Sequence, residues 1–250
     1  MEPSDTSRSS PRLAVVAPVF NEAENIGPLI DEVVAALADA GPCEIIVVDD
    51  CSSDGTADAL AEAKTAIPAL RVLRHARNAG QSRALRSGVL AAKADIIVTL
   101  DGDGQNDPAD IPKLLERLQR ADAPPGLAMV AGQRRNRKDT LAKRWASRAA
   151  NAIRQKLLAD GAADTGCGLK AFRREAFLHA PYFDHLHRYL PAMMIREGFK
   201  VEYCDVGHRP RRFGVSKYTN WQRAAVAVRD ILGVLWLKDR ARSPGGIEEL

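Results

Sequence analysis

The sequence predicts an α/β fold, a mostly parallel sheet with helices on both faces, and three observations predict it. Short apolar runs recur along the chain, and Ala/Leu-rich stretches long enough for crossover helices separate them. Acidic or polar clusters stand where several of the apolar runs end. With 250 residues and 46% hydrophobic content the chain can bury the core of one large domain.

Residues 1–10 are polar, with Ser4, Ser7, Ser9 and Ser10 beside Pro3 and no apolar run, and are expected to be disordered and not a signal peptide. The strands expected next are LAVVA at 13–17, EIIVVD at 44–49, LRVL at 70–73, DIIVTL at 95–100 and LAMVA at 127–131. Helices are expected at 23–40, 55–66, 81–93 and 109–121, which completes a βαβαβαβαβ order. The domain is expected to span 11–218, with 219–250 forming a C-terminal amphipathic helix and tail. The apolar stretch 224–237 is broken by Arg229-Asp230 and is shorter than the roughly 20 residues of a spanning helix, so the chain is not expected to be integral to a membrane.

The 36 basic and 32 acidic residues leave a net charge of +4, too mild to indicate nucleic acid as a partner. Cys43, Cys51, Cys167 and Cys204 form no C-x-x-C pair, which points away from a zinc site or disulfide framework and toward a reducing cytosol.

Ligands of such sheets gather beyond the C-terminal strand ends, where Pro18 to Glu22, Asp49-Asp50 and Asp101 to Asp103 would converge. Asp101 and Asp103 can turn two carboxylates toward one hard cation, with Gly102 between them letting a ligand approach the backbone. The alternation of Asp101, Asp103, Gln105 and Asp107 resembles a calcium loop, yet Asn106 stands where Gly is required and Pro112 where a bidentate Glu is required. Gln105 can still add an amide oxygen. Asp54 or Ser53 is read as a helix cap and Asn21 as a cap of the first helix, whereas capping does not explain the Asp49-Asp50 pair, one of which is expected to contact base or ribose. No G-x-G-x-x-G and no P-loop pattern occurs. Arg211 and Lys217 in RRFGVSKY, and more weakly Arg134 and Arg135, are the cations available to a phosphate. A phosphatase with an aspartyl nucleophile shares the D-x-D pattern but usually places it on its first strand. A basic membrane- or RNA-binding module would leave the acidic strand ends unexplained.

In order and spacing, PVFNEAENI, VVDDCSSDGT, NAGQSRALRSG, LDGDGQNDP and RRFGVSKY resemble the family 2 glycosyltransferases of the dolichyl-phosphate mannose synthase and bacterial polyprenyl-phosphate glycosyltransferase type, over about 12–220. The resemblance implies a GT-A fold, an inverting reaction and a nucleotide-sugar donor. By position it implies that Pro18, Phe20, Glu22 and Asp50 line the nucleotide pocket with Gly102 and Arg134, and that Asp101, Asp103 and Gln105 surround Mg²⁺ or Mn²⁺. Arg211 and Lys217 would grip phosphate, and with Asp103 they are the expected catalytic set. The chain has Gly104-Gln105-Asn106 where the family often has Leu-Gln-His, and the C-terminal membrane helices of many relatives are not expected in it.

A hydroxyl acceptor needs a general base, whereas a lipid phosphate is already anionic and needs none. Asp164 in ADTGCGLKAFRR is the one carboxylate in a suitable loop, and Lys170, Arg173 and Arg174 follow it, a setting that favours a polyprenyl phosphate acceptor. The alternative is a glycan or lipid hydroxyl with Asp164 as base. Residues 134–156 carry Arg134, Arg135, Arg137, Lys138, Lys143, Arg144, Arg148, Arg154 and Lys156, with Leu141, Trp145, Ala149, Ala152, Ile153 and Leu157 at helical spacing. That pattern predicts a basic amphipathic helix on an anionic membrane surface, at the inner face of the cytoplasmic membrane. A second segment, about Trp221 to Leu237, fits the same surface, the domain itself, or a twin subunit in a homo-oligomer.

Overall fold

The computed structural model describes residues 12–134, 154–211, 213, 220–242 and 248. Among these residues seven strands form one mixed sheet: β1 (Leu13–Val19), β2 (Cys43–Asp49), β3 (Leu70–Arg74), β4 (Ile96–Thr99), β5 (Leu127–Arg134), β6 (Lys170–Arg173) and β7 (Lys200–Val206). The helices are α1 (Ala23–Ala36), α2 (Thr56–Ala66), α3 (Gln81–Ala91), α4 (Ile111–Gln119), α5 (Arg174–His179), α6 (Leu186–Arg196) and α7 (Asn220–Asp239).

The strand order is β3-β2-β1-β4-β6-β5-β7. The pairings among β1, β2, β3 and β4 and between β5 and β7 are parallel, while β6 runs antiparallel to both β4 and β5. All five expected strands are present. Neither β6 nor β7 was expected: KAFR is only four residues long, and KVEYCDV mixes polar residues into a sheet-edge position, so neither reads as an apolar run.

The central strands are covered on both faces, which is why their Val and Ile runs do not alternate with polar residues. One core layer gathers Val15, Val47, Val98 and Val130 under α1 and α4, and the other gathers Val16, Ile46, Ile97 and Met129 under α3, α5 and α6. Gly88 sets how closely α3 approaches, since a Cβ there would stand 2.4 Å from Val16 Cγ1.

Register brings the chemistry to one edge. Val19 lies opposite Asp49, Val16 opposite Thr99, and Thr99 opposite Lys170. The last residues of β1, β2 and β4 and the first of β6 therefore face the same end of the sheet.

Helix α7 packs along α6, burying Val234 completely, with the Tyr189 hydroxyl donating to Ala227 O at 3.4 Å and Arg196 Nε to Leu237 O at 2.8 Å. Of the three placements open to this segment, its inner face takes the domain. Its outer face leaves Val228, Leu232 and Trp236 about 60% exposed. Among the described residues no helix is long and apolar enough to cross a membrane.

Most of the expected basic helix at 134–156 lies outside the described residues. Its described end differs from the expectation. Arg154 is buried and pairs with Asp160 (2.8 Å), Leu158 enters the core, and Leu157 is exposed. Burial of a charge is tolerated there because Asp160 and Ala162 O accept from both terminal nitrogens of the guanidinium, a partner arrangement that helical spacing does not reveal.

Candidate active site

A cavity of about 440 Å³ opens at the C-terminal end of the sheet, lined among others by Pro18, Asp101, Gln105, Arg134, Asp164 and Lys170. Asp101 follows β4 directly. Its N–H donates to Asn106 Oδ1 (3.0 Å), which folds the acidic loop back on itself, and Gln81 at the start of α3 donates to its carboxylate at 2.7 Å. Asp103 Oδ1 accepts the Gln105 N–H at 3.1 Å. Burial, and then the charge of Asp103, push the Asp101 carboxyl up to about 6.

Two glycines set the geometry of this loop. A Cβ on Gly168 would lie 2.4 Å from the Asp101 carboxylate, so the turn before β6 has room for that carboxylate only without a side chain. Gly102 is also needed for packing, because a Cβ there would stand 2.5 Å from Val19 Cγ1 and 3.1 Å from Pro18 O. It lets the loop press onto β1.

Two crowded carboxylates with an amide nearby suit a divalent cation, since a positive ion would offset the burial and the repulsion that raise Asp101. Among the described residues no three His, Cys, Asp or Glu side chains gather in a metal-binding group. Asp101, Asp103 and Gln105 would therefore supply part of a shell that a ligand and water complete.

Arg211 sits across this loop. Its guanidinium pairs with Glu22 and lies 3.9 Å from Asp103 Oδ2, while its buried Nε has no hydrogen-bond partner among the described residues. The segment carrying it is held down by Arg209, which pairs with Glu32 on α1 (2.5 Å) and with Asp107 (2.6 Å). Glu22, Asp103 and Arg211 thus meet, as expected of a common site. Lys217 lies outside the described residues.

The other expected residues divide. Pro18 lines the cavity and Phe20 is half-buried on the turn after β1. Asp50 is buried, with its carboxylate already accepting from Ala79 N (2.9 Å) and Gly80 N (2.7 Å) and meeting His75 Nδ1 at 2.7 Å. It organises the turn that leads into Gln81. Asn21 does not cap α1; it adopts φ 55° and accepts the Ser53 N–H at 2.8 Å, while Asp54 receives Thr56 N at the head of α2 and Ala23 N at the head of α1.

Arg134 ends β5 and forms a two-pronged ion pair with Asp164, with Nη2 to Oδ1 at 2.9 Å. Asp164 Oδ1 also accepts the Gly166 N–H at 3.0 Å, so this carboxylate is engaged from several sides. Lys170 is buried in the cavity wall and donates to Cys167 O; burial lowers its pKa, with Asp101 among the charges opposing the shift. Arg173 and Arg174 do not join it. Because β6 is antiparallel, three residues carry the chain to the opposite end of the sheet, where Arg173 donates to Leu127 O and Arg174 to Val89 O.

Sequence reasoning missed Gly168, His187 and Arg188, all on the cavity wall. Gly168 lies in the loop ADTGCGLKAFRR, but its need for a missing Cβ is visible only against Asp101. His187 and Arg188 open α6, a helix that no strand-end pattern announced.

The glycosyl transferase family 2 model matches residues 14–179. Dodecaprenyl-phosphate galacturonate synthase of Rhizobium johnstonii is 34% identical over 241 residues, covering 93% of this chain and 69% of the relative. Undecaprenyl-phosphate 4-deoxy-4-formamido-L-arabinose transferase of Pectobacterium carotovorum is 36% identical over 210 residues, covering 83% of this chain and 62% of the relative. Among solved structures, glucosyl-3-phosphoglycerate synthase from Mycobacterium tuberculosis in complex with Mn²⁺, UDP and glucosyl-3-phosphoglycerate matches with a TM-score of 0.69 at 20% identity, covering 94% of this chain and 82% of that one. That likeness establishes the fold.

Proposed function

The chain belongs to glycosyl transferase family 2 and is a glycosyltransferase of GT-A fold, and from that premise we propose that it transfers a sugar, with inversion, from a nucleotide diphosphate donor to a polyprenyl phosphate. The observation that carries the acceptor assignment is the Arg134–Asp164 ion pair. The carboxylate in the acceptor-side loop is neutralised and hydrogen-bonded, an arrangement poorly suited to a general base. A phosphate acceptor requires no base.

Pro18, Phe20, Glu22, Asp50 and Gly102 belong to the donor side, and the relatives that act on polyprenyl phosphates support the lipid side. Mg²⁺ or Mn²⁺ held by Asp101, Asp103 and Gln105 would neutralise charge growing on the departing diphosphate. Arg211, now against Glu22 and Asp103, would turn to the same phosphates together with Lys217, a reading that its position beside the acidic loop supports. Gln81 fixes the Asp101 carboxylate, and Asp50 fixes the turn before Gln81. Positioning of this kind is the chief requirement of an in-line displacement by an anionic nucleophile.

The exposed stripe of Val228, Leu232 and Trp236, with Arg229, Arg240 and Arg242 also exposed on this segment, supports peripheral attachment to an anionic bilayer at the inner face of the cytoplasmic membrane. The test is to incubate the purified chain with undecaprenyl phosphate, Mg²⁺ and a panel of GDP- and UDP-sugars and to weigh the lipid products by mass spectrometry. A sugar monophosphate lipid from one donor is expected. Absence of any glycosylated lipid across the panel overturns the reading.

A further inference from the structure

The wall of the cavity formed by the start of α6 has no role in the chemistry above. Arg134 is neutralised by Asp164, while Arg209 and Arg211 each face carboxylates. Arg188 also lines the cavity, yet among the described residues its guanidinium has neither a carboxylate nor a hydrogen-bond partner. A guanidinium is always charged and offers five donors, so one left unpaired in a concave wall is matched to an anion from outside the protein.

Its neighbour is prepared in the same direction. Ser82 Oγ accepts the His187 N–H at 3.3 Å and lies 2.7 Å from His187 Nδ1. Having accepted from the backbone, the hydroxyl gives its own proton to Nδ1, and the ring proton is left on Nε2. Burial, and then the adjoining positive charge of Arg188, hold the imidazole neutral, well below its ordinary pKa. The ring lines the cavity, so a neutral N–H donor stands beside an unpaired guanidinium.

We propose that Arg188 and His187 form an oxyanion subsite, separate from the Asp101–Asp103 loop, for an anionic group that the substrates carry in addition to the donor's diphosphate. The matching chemistry is a carboxylate or a phosphate monoester. Given the transferase reading, on which the choice of sources rests, that group is either the phosphate of the lipid acceptor or a carboxylate on the transferred sugar. Lys170, buried in the same cavity wall, adds positive potential without being free to reach, since its amine donates to Cys167 O.

The test is calorimetric binding to the full chain with Mn²⁺ present, using farnesyl phosphate, UDP-glucuronate and UDP-glucose as probes against wild type, Arg188→Met, Arg188→Lys and His187→Phe. Arg188→Met is expected to weaken one anionic probe by about tenfold or more, with Arg188→Lys recovering much of the loss and His187→Phe falling between, while UDP-glucose stays within about twofold. Loss confined to farnesyl phosphate assigns the subsite to the acceptor; loss confined to UDP-glucuronate assigns it to the sugar. The subsite is overturned if Arg188→Met leaves all three affinities within about twofold, or if wild type binds neither anionic probe below about 1 mM. These readouts do not require turnover. A wild-type chain that makes no lipid product but shows the Arg188-dependent binding refutes the transfer reading and keeps the subsite.

Discussion

Asp101 couples stability to pH with a definite sign. Its carboxyl titrates at about 6 in the fold against an ordinary 3.8, so the stability it contributes is fully present below 3.8 and is lost as pH rises through about 6. Asp101→Asn should therefore be more stable than wild type at pH 7.5, by no more than about 3 kcal/mol, and the advantage should vanish by pH 4. Paired thermal melts across that range check it; an advantage that grows on acidification refutes the assignment. Mn²⁺ should stabilise wild type at pH 7.5 and not the variant. Gly168→Ala puts a methyl group into the space of the same carboxylate, 2.4 Å away, and should cut transfer by about 100-fold while the protein stays folded. Circular dichroism and a product assay on one preparation separate the two effects.

At the scale of elements, the approach of α3 to β1 depends on Gly88. Gly88→Ala should destabilise the protein by about 1–3 kcal/mol, because the new methyl meets Val16 in a filled layer and the helix must shift. Urea unfolding measures this, and an unchanged midpoint contradicts the packing. The guanidinium of Arg209 ties the segment that carries Arg211 to α1 through Glu32 and to the acidic loop through Asp107. Arg209→Met should raise the KM for the nucleotide sugar several-fold with a smaller change in kcat, since the loss falls on placing Arg211 and not on the reacting atoms. Steady-state kinetics over donor concentration decide it; an equal fall in kcat with KM unchanged rejects the role.

For the whole molecule, the exposed apolar stripe of α7 and its arginines define the face expected to meet a bilayer. Leu232→Ser with Trp236→Ser should reduce co-sedimentation with anionic vesicles by about tenfold, while transfer to a short, water-soluble prenyl phosphate is retained. Undiminished sedimentation removes this face from the membrane reading. The fold was legible because parallel βα units repeat an apolar run and an amphipathic stretch, and the strand ends carried the acidic motifs. The loop at Asp101 and the Arg211 segment could be named for the same reason: their chemistry is local in the chain.

What the sequence determined by itself was the order of the first nine elements, the edge of the sheet where ligands gather, and the family, because each is written in residues close together in the chain. Tertiary structure decided the rest. The antiparallel turn of β6 parted Lys170 from Arg173 and Arg174, and burial turned Asp50 into a support for the Gln81 turn. Gly102 gained a packing role against Val19, and Asp164 was tied to Arg134. The wall made by His187 and Arg188 came from a helix about 85 residues beyond the acidic loop. Pairings between distant segments depend on strand direction and on which carboxylate a guanidinium reaches, and neither leaves a periodic trace in the chain.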